Sequence, residues 1–252
     1  MKLKILLIGL PGTGKTTWLS TVPKVAIAAS ETGHGAGLMS IAQSNIPFVT
    51  PETYSEFETF CSGGLFKDAE ALAVDSLSSM TRTFIKDYAI TNFPRARGET
   101  PKRRAGIPEL DDYNTIGECA RRLIAKLIGL DKHIIVTCTL KLPQEARPDE
   151  GKEALPAMPD LPGQQALAQA AAFDTVLIMR TRPALRDPKN AASRYSQRYF
   201  MTQQTDKWLA KSRLNALDKP ILADEEIFDL ATGQGSFSYI LDKIKAAYAV
   251  QV

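Results

Sequence analysis

A glycine-rich segment near the start constrains this chain more than any other feature. It reads Gly9-Leu10-Pro11-Gly12-Thr13-Gly14-Lys15-Thr16 and fits the pattern G-x-x-x-x-G-K-[ST]. The apolar run Leu3–Ile8 before it predicts a buried strand, and a helix is predicted from Lys15. In that order the loop N–H groups close around phosphate oxygens, while Lys15 reaches the β- and γ-phosphates. The sequence therefore predicts a nucleoside triphosphate site, and a glycine-rich turn that binds nothing is the alternative. The predicted contacts are Gly9, Pro11, Gly12, Thr13, Gly14, Lys15, Thr16 and Thr17.

Length and composition favour one folded α/β domain. The chain has 252 residues, of which 44% are hydrophobic, so it can bury a sizeable core. We expect a single domain over 1–252, with a core over about 3–215 and a C-terminal helical segment over about 221–252. The sequence has no apolar run of 18 residues and no signal-peptide pattern, so we expect a cytoplasmic protein that does not bind a membrane.

The cysteines exclude two further classes of protein. Cys61, Cys119 and Cys138 are widely separated and form no C-x-x-C pair. Neither a disulfide framework nor a zinc site is therefore predicted, and we expect buried, reduced thiols.

Short apolar runs alternate with helical patterns along the chain. This alternation predicts an α/β fold with a mostly parallel, twisted sheet and helices on both faces. The predicted strands are Val25–Ala29, Ile46–Val49, Ala71–Asp75, Ile134–Thr139 and Asp174–Arg180, and the predicted helices are Thr53–Phe60, Ser78–Tyr88, Tyr113–Ile128, Ala166–Phe173 and Phe237–Val250. Three segments complete this prediction: a loop or extended arm over Lys141–Gly163, a basic turn over Arg182–Arg194, and a hairpin of Gln197–Thr202 with Lys207–Ala210.

Two acidic residues follow predicted strands at the edge of the sheet where ligands bind. Asp75 ends an apolar strand, and we predict that it holds Mg²⁺ together with Thr16. The next residue is Ser76, so the Asp-Glu pair of many mechanical ATPases is absent. Glu31 follows Val25–Ala29 and is the best candidate for polarising water, with a loop or capping acid as the alternative.

Two other nucleotide-binding classes can be weighed from the residues. A GTPase would carry Asn-Lys-x-Asp after a strand, whereas Asn215-Ala216-Leu217-Asp218 has no lysine. A small-molecule kinase would use an arginine-rich lid. Such arginines are available at Arg180, Arg182, Arg186, Arg194 and Arg198, so this alternative stays open.

The segment Val74–Thr81, with the strand Ile134–Thr139, resembles the core of RecA-type recombinases. The whole chain resembles the short RecA-like ATPases of bacteriophages, some of which act as single-strand annealing proteins. The resemblance implies a RecA-like P-loop core that uses ATP and Mg²⁺, with Glu31 as the residue that polarises water. It also implies a homo-oligomer, ring or filament, in which Lys211 and Arg213 reach the γ-phosphate of a neighbouring subunit and join Lys15 in catalysis.

A basic run marks a candidate contact with a phosphate-rich partner. Residues 95–104 hold five bases and one acid, and a solvated loop is the alternative. The resemblance implies two DNA-binding loops, one here and one at Lys141–Gly163. The predicted contacts with single-stranded DNA are Arg95, Arg97, Lys102, Arg103, Arg104 and Lys141.

The chain also departs from the pattern of that family. Thr139 stands where relatives often have a glutamine that couples the γ-phosphate to DNA, and the P-loop strand begins at residue 3 with no oligomerisation segment before it. We therefore expect DNA-stimulated ATP hydrolysis that serves annealing or accessory loading, with a single-strand-binding protein as a further candidate partner. The alternatives are a nucleotide-gated switch that binds proteins and no DNA, and the small-molecule kinase.

Overall fold

The computed structural model describes residues 2–30, 45–93, 108–109, 112–146, 154–162, 165–187, 189–212 and 221–249. The strands are β1 Lys4–Gly9, β2 Val25–Ala29, β3 Phe48–Val49, β4 Ala71–Asp75, β5 His133–Lys141, β6 Met158–Pro159, β7 Thr175–Leu185, β8 Arg194–Met201, β9 Lys211–Ser212 and β10 Glu225–Phe228. The helices are α1 Lys15–Leu19, α2 Tyr54–Cys61, α3 Leu77–Met80, α4 Lys86–Asn92, α5 Asp112–Ile128, α6 Gln165–Ala172 and α7 Phe237–Ala249. A π-helical segment, Thr81–Ile85, joins α3 to α4.

The sheet is mostly parallel, and β1 lies in its centre. The strand order is β10-β8-β7-β1-β5-β4-β2-β3, in which β7, β1, β5, β4, β2 and β3 are parallel neighbours. β8 and β10 extend the sheet in antiparallel fashion. Gly9 at the end of β1 lies between Thr139 of β5 and Met179 of β7. The loop after Gly9 therefore leaves the sheet at the edge where the carboxyl ends of the parallel strands meet.

Helices cover both faces of the sheet because each strand buries side chains in both directions. Leu6 and Ile8 of β1 belong to one hydrophobic cluster, which contains residues from α2, α3, α4, α5 and α6. Leu3, Ile5 and Leu7 belong to a second cluster, which contains residues from α1 and α7. This alternation is the period of two that a strand imposes on its side chains. The predicted α/β class, with a mostly parallel sheet and helices on both faces, is confirmed.

Helix α1 is short and is held by the C-terminal part of the chain. The buried Trp18 indole Nε1 donates a 2.8 Å hydrogen bond to the Gly235 carbonyl. The Phe237 N–H donates to the Thr21 hydroxyl at 3.1 Å. The Trp18 ring also packs edge-on against Phe200 of β8 and Phe237 of α7, at centroid distances of 5.9 and 6.2 Å. A five-residue helix has little stability of its own, so these contacts fix the start of the helix that follows the glycine-rich loop.

The strand pairing after residue 180 differs from the prediction. β7 continues to Leu185, through part of the expected basic turn, and pairs with β8. The predicted partnership of Gln197–Thr202 with Lys207–Ala210 is wrong, because β8 pairs with β7 and β10. Basic residues are tolerated in this hairpin because aromatic rings lie beneath them. Arg182 lies 4.7 Å from the Tyr199 ring centroid and Arg186 lies 5.5 Å from that of Tyr195.

The predicted arm after β5 folds back on itself where it is described. Gln144 forms an antiparallel bridge with Leu155, and β6 pairs with the last residues of β5. Of the predicted Lys141–Gly163 segment, 147–153 and Gly163 lie outside the described residues. In the part of the chain that the structure covers, no helix is long and apolar enough to cross a membrane.

Candidate functional site

The glycine-rich loop has backbone geometry that requires its glycines. Gly12 and Gly14 have φ values of 78° and 98°, in the region that side chains disfavour. A Cβ on Gly9 would lie 2.7 Å from the Thr13 hydroxyl oxygen and 3.0 Å from the Met179 carbonyl oxygen. The Thr13 hydroxyl donates to the Leu10 carbonyl at 2.9 Å, which closes the turn. The pattern of glycines thus allows the backbone to wrap closely above β1.

Lys15 lies across the mouth of this loop. Its Nζ donates to the carbonyl oxygens of Gly9 at 2.8 Å and Leu10 at 3.0 Å. Burial lowers the pKa of the Lys15 ammonium, and the nearby Asp75 carboxylate opposes part of that effect. The ammonium is therefore held at the loop by neutral carbonyl oxygens, which a negatively charged ligand could replace.

The Asp75 carboxylate accepts hydrogen bonds from two threonine hydroxyls. The Thr16 hydroxyl donates to Oδ2 of Asp75 at 2.6 Å, and the Thr137 hydroxyl donates to Oδ1 at 2.5 Å. The Asp75 carboxylate and the Thr16 hydroxyl thus lie side by side next to Lys15. Oxygen ligands of this kind suit Mg²⁺, so the residues present fit the metal predicted at Thr16 and Asp75.

Thr137 is a site residue that the sequence reasoning missed. It lies in the middle of β5 and is completely buried. Val136 of β5 pairs with Val74 of β4, so the next residues along the two strands, Thr137 and Asp75, lie beside each other. The available signal was a hydroxyl in the otherwise apolar run Ile134–Cys138, since a buried hydroxyl needs a partner.

The ends of β2 and β4 are tied together beside Asp75. The Ser30 N–H donates to the Asp75 carbonyl at 2.7 Å, and the Ser30 hydroxyl accepts a hydrogen bond from the Ser76 N–H at 3.1 Å. Glu31 lies outside the described residues, so its role in polarising water stays a prediction.

Lys211 is not brought to the glycine-rich loop of its own chain. Its Nζ donates to the Ala171 carbonyl at 3.1 Å. β9 places it opposite Val176, which pairs with Leu6 of β1, three residues before Gly9. Three residues of strand are roughly 10 Å. Arg213 lies outside the described residues, so the action of both residues in a neighbouring subunit stays a prediction.

Most of the predicted DNA contacts cannot be placed. Arg95, Arg97, Lys102, Arg103 and Arg104 lie outside the described residues. Lys141, the exposed last residue of β5, is described and pairs with Met158 of the arm. Its contact with DNA stays a prediction.

A cavity of about 260 Å³ lies between the segment before the basic run and the end of the arm. Arg82, Lys86 and Asp160 contribute to its wall, and Arg82 forms an ion pair with Asp160. The buried Thr81 hydroxyl also lines it and has no hydrogen-bond partner among the described residues.

Thr139 connects three elements through its backbone. Its N–H donates to the Ser78 hydroxyl at 3.0 Å, and its carbonyl accepts from the Asp160 N–H at 2.8 Å. It also pairs with Gly9. The glycine-rich loop, α3 and the arm therefore meet at this residue.

The kinase alternative needed arginines free to act as a lid, and several are occupied. Arg180 lies 4.5 Å from the Trp208 ring centroid, and Arg182 forms an ion pair with Glu225 at 2.7 Å. Arg198 differs, because its side chain reaches the glycine-rich loop and contacts Gly14. It was not among the predicted nucleotide contacts.

The strand-loop-helix geometry at Gly9–Thr17, with Asp75 beside it, defines the class of P-loop nucleoside triphosphatases. A family model described as an AAA domain matches residues 1–214. This chain belongs to that family and is a P-loop ATPase.

Among solved structures, a KaiC-like protein from the hyperthermophilic archaeon Pyrococcus horikoshii OT3 is similar to this chain. It matches with a TM-score of 0.47 and 13% sequence identity, over 90% of this chain and 85% of that chain. A comparison with curated protein sequences finds no match.

Proposed function

We propose that this chain is a Mg²⁺-dependent ATPase that binds single-stranded DNA and promotes annealing or recombination in a phage or its host. The observation that carries the ATPase part is the contact of Thr16 and Thr137 with Asp75, directly beside Lys15. A glycine-rich turn that binds nothing has no need of this cluster. The membership in the AAA domain family supports the same activity.

Each residue of the cluster has a distinct task in this proposal. The Lys15 ammonium exchanges the carbonyls of Gly9 and Leu10 for β- and γ-phosphate oxygens. Thr16 and Asp75 would hold Mg²⁺, which neutralises phosphate charge when it is bound. The Thr137 hydroxyl keeps the Asp75 carboxylate oriented toward Thr16. The Glu31 carboxylate accepts a proton from the attacking water.

Hydrolysis is proposed to depend on assembly. Lys211 and Arg213 act on the γ-phosphate of a neighbouring subunit in a ring or filament, where their charge stabilises the transferred phosphoryl group. The position of Lys211 on β9, away from its own loop, is compatible with a partner in another subunit.

DNA binding is proposed to be electrostatic. The support is the cluster of five bases at 95–104 and the exposed Lys141. Such contacts release counterions, so affinity should fall steeply as salt rises. Annealing is favoured over strand exchange because Thr139 stands where the recombinase pattern has a glutamine, and a single-strand-binding protein is a candidate partner.

The test measures the ATPase rate per subunit across protein concentration, with and without single-stranded DNA. We expect the rate to rise with concentration and with DNA, and Lys15→Ala to abolish it. The double variant Arg103→Glu/Arg104→Glu should lose DNA stimulation and lower the slope of log affinity against log salt by about 1.4, at about 0.7 per phosphate contact. Lys189→Glu/Arg194→Glu, a charge reversal at the β7–β8 hairpin, is the matched control and should keep both.

The alternatives give different results. ATPase activity that never responds to DNA, with no DNA affinity in the wild-type chain, would favour the nucleotide-gated interaction switch. Transfer of phosphate to an added acceptor would favour the kinase. A rate per subunit that is independent of concentration would contradict the role of Lys211 and Arg213 in a neighbouring subunit.

A further inference from the structure

Arg198 extends from β8 onto the glycine-rich loop. A Cβ built on Gly14 would lie 2.7 Å from Nε of Arg198 and 3.0 Å from its Cδ and Cζ. The guanidinium group therefore lies directly against the backbone of the residue before Lys15. We propose that Arg198 is a second cation for the nucleotide of its own subunit, which contacts the phosphate chain together with Lys15.

The register of the sheet explains why this side chain reaches the loop. Gly9 pairs with Met179 of β7, and Arg198 pairs with Thr181, two residues further along β7. Arg198 thus lies beyond the end of β1, at the level of the loop. Phe200, two residues later on β8, points to the same face and packs against Trp18 of α1. The strand therefore directs Arg198 to the face that carries α1 and the loop.

The charge of Arg198 has no counterpart among the described residues. No hydrogen bond, ion pair or ring contact involves its guanidinium there, whereas Arg182 pairs with Glu225 and Arg180 lies over Trp208. The side chain is half-buried. A partly buried charge without a counter-charge among its described neighbours costs free energy. A bound phosphate chain supplies such a counter-charge to Arg198.

A guanidinium group suits this task because its planar N–H donors match pairs of phosphate oxygens. The role differs from that of Lys211 and Arg213, since Arg198 acts within one subunit and needs no neighbour. It follows that Arg198 contributes to nucleotide affinity in the monomer, before assembly.

The inference rests on the proposed nucleotide site and is tested by binding, not by turnover. Isothermal titration calorimetry compares wild type, Arg198→Ala, Arg198→Lys and Arg194→Ala with Mg-ADP and with a non-hydrolysable ATP analogue. AMP binding is measured by competition against ADP. We expect Arg198→Ala to weaken the analogue and ADP by about tenfold to a hundredfold, as loss of hydrogen bonds to a charged group implies. The effect on AMP should be smaller, because fewer phosphates are present.

The remaining variants separate charge from structure. Arg198→Lys should recover part of the affinity, and Arg194→Ala, which alters the same strand at its exposed start, should bind as wild type does. Urea unfolding without nucleotide shows whether the Arg198→Ala protein is folded. If that variant is not folded, Arg198→Gln is used in its place. The effect should be equal at protein concentrations below and above assembly.

Two results would overturn the inference while leaving the nucleotide site intact. One is equal affinity of wild type and Arg198→Ala for the analogue. The other is an equal loss for AMP and the analogue, which would assign Arg198 to the nucleoside or the α-phosphate and not to the β- and γ-phosphates that Lys15 reaches. Failure of the proposed function appears differently, as wild-type protein that binds no nucleotide or as Lys15→Ala protein that binds as tightly as wild type.

Discussion

Replacing Thr137 by valine tests whether its hydroxyl holds Asp75 in place. The substitution keeps the β-branched shape and removes one hydrogen bond to a carboxylate, at 2.5 Å, from a fully buried position. Hydrogen bonds to charged groups contribute about 1.5–3 kcal/mol. We therefore expect Thr137→Val to lower the free energy of unfolding by about 1.5–3 kcal/mol, measured by urea denaturation without nucleotide.

The chain contains a matched control on the other side of β1. Thr175 of β7 pairs with Ile5 and Thr137 of β5 pairs with Leu7, so the two threonines flank the same strand. The Thr175 hydroxyl is buried and has no hydrogen-bond partner among the described residues. Thr175→Val removes an unsatisfied polar group, so we expect it to be neutral or to stabilise by up to about 1 kcal/mol.

The difference between the two variants decides the question. The two unfolding free energies should differ by about 1.5–4 kcal/mol, which is larger than the error when denaturation midpoints are compared at equal slope. Thr137→Val should also raise the Mg²⁺ concentration needed for half-maximal ATPase rate, whereas Thr175→Val should not. Equal destabilisation by both substitutions would refute the reasoning. It would mean that removing the Thr137 hydroxyl, which bonds Asp75, costs no more than removing a buried hydroxyl without a partner.

Three further predictions concern Lys15, the cysteines and Trp18. Burial lowers the pKa of Lys15 in the folded chain, so the folded state loses this proton at a lower pH than the unfolded state does. The free energy of unfolding of wild type, relative to that of Lys15→Met, should therefore rise with pH between the lowered pKa and 10.5. A difference in unfolding free energy that stays constant across alkaline pH would contradict this. Burial raises the pKa of Cys138 to about 12 and also raises that of Cys61 and Cys119. Ellman's reagent at pH 8 should therefore react with no thiol in the native chain and with three thiols after unfolding. Rapid reaction of any thiol in the native chain would show that it is accessible. Trp18→Phe leaves the Gly235 carbonyl without its buried donor and reduces packing against Phe200 and Phe237. It should therefore lower the free energy of unfolding, measured in urea, by about 2–4 kcal/mol. A decrease below about 1 kcal/mol would show that α1 does not depend on these contacts.

Local patterns predicted the parts of the fold that local physics determines. The apolar runs at Val25–Ala29 and Ala71–Asp75 are strands with the predicted bounds, and the glycine-rich pattern predicted a loop whose geometry needs those glycines. Asp75 could be predicted at the end of its strand because parallel sheets place polar ligand groups there.

Strand pairing and the side chains that arrive through it could not be predicted. β7 and β8 pair along a segment rich in arginine, and arginine side chains lie over aromatic rings across the hairpin. Thr137 reaches Asp75 because β5 lies beside β4, and Arg198 reaches the loop because the β7–β8 hairpin lies beside β1. These contacts connect residues that are far apart in the sequence, 62 positions for Thr137 and Asp75, and no local pattern records them.

The anchoring of Trp18 to Gly235 has a consequence for the order of biosynthesis. These two residues are 217 positions apart, and Phe237 is 216 positions from Thr21. During translation the glycine-rich loop is made first, but α1 receives this side of its packing only after α7 has been made. Contacts of such long sequence separation form late because the intervening chain must first be ordered. Nascent chains that end before residue 235 should therefore carry the whole P-loop sequence without a firmly held nucleotide site, which delays ATP capture until α7 has been made.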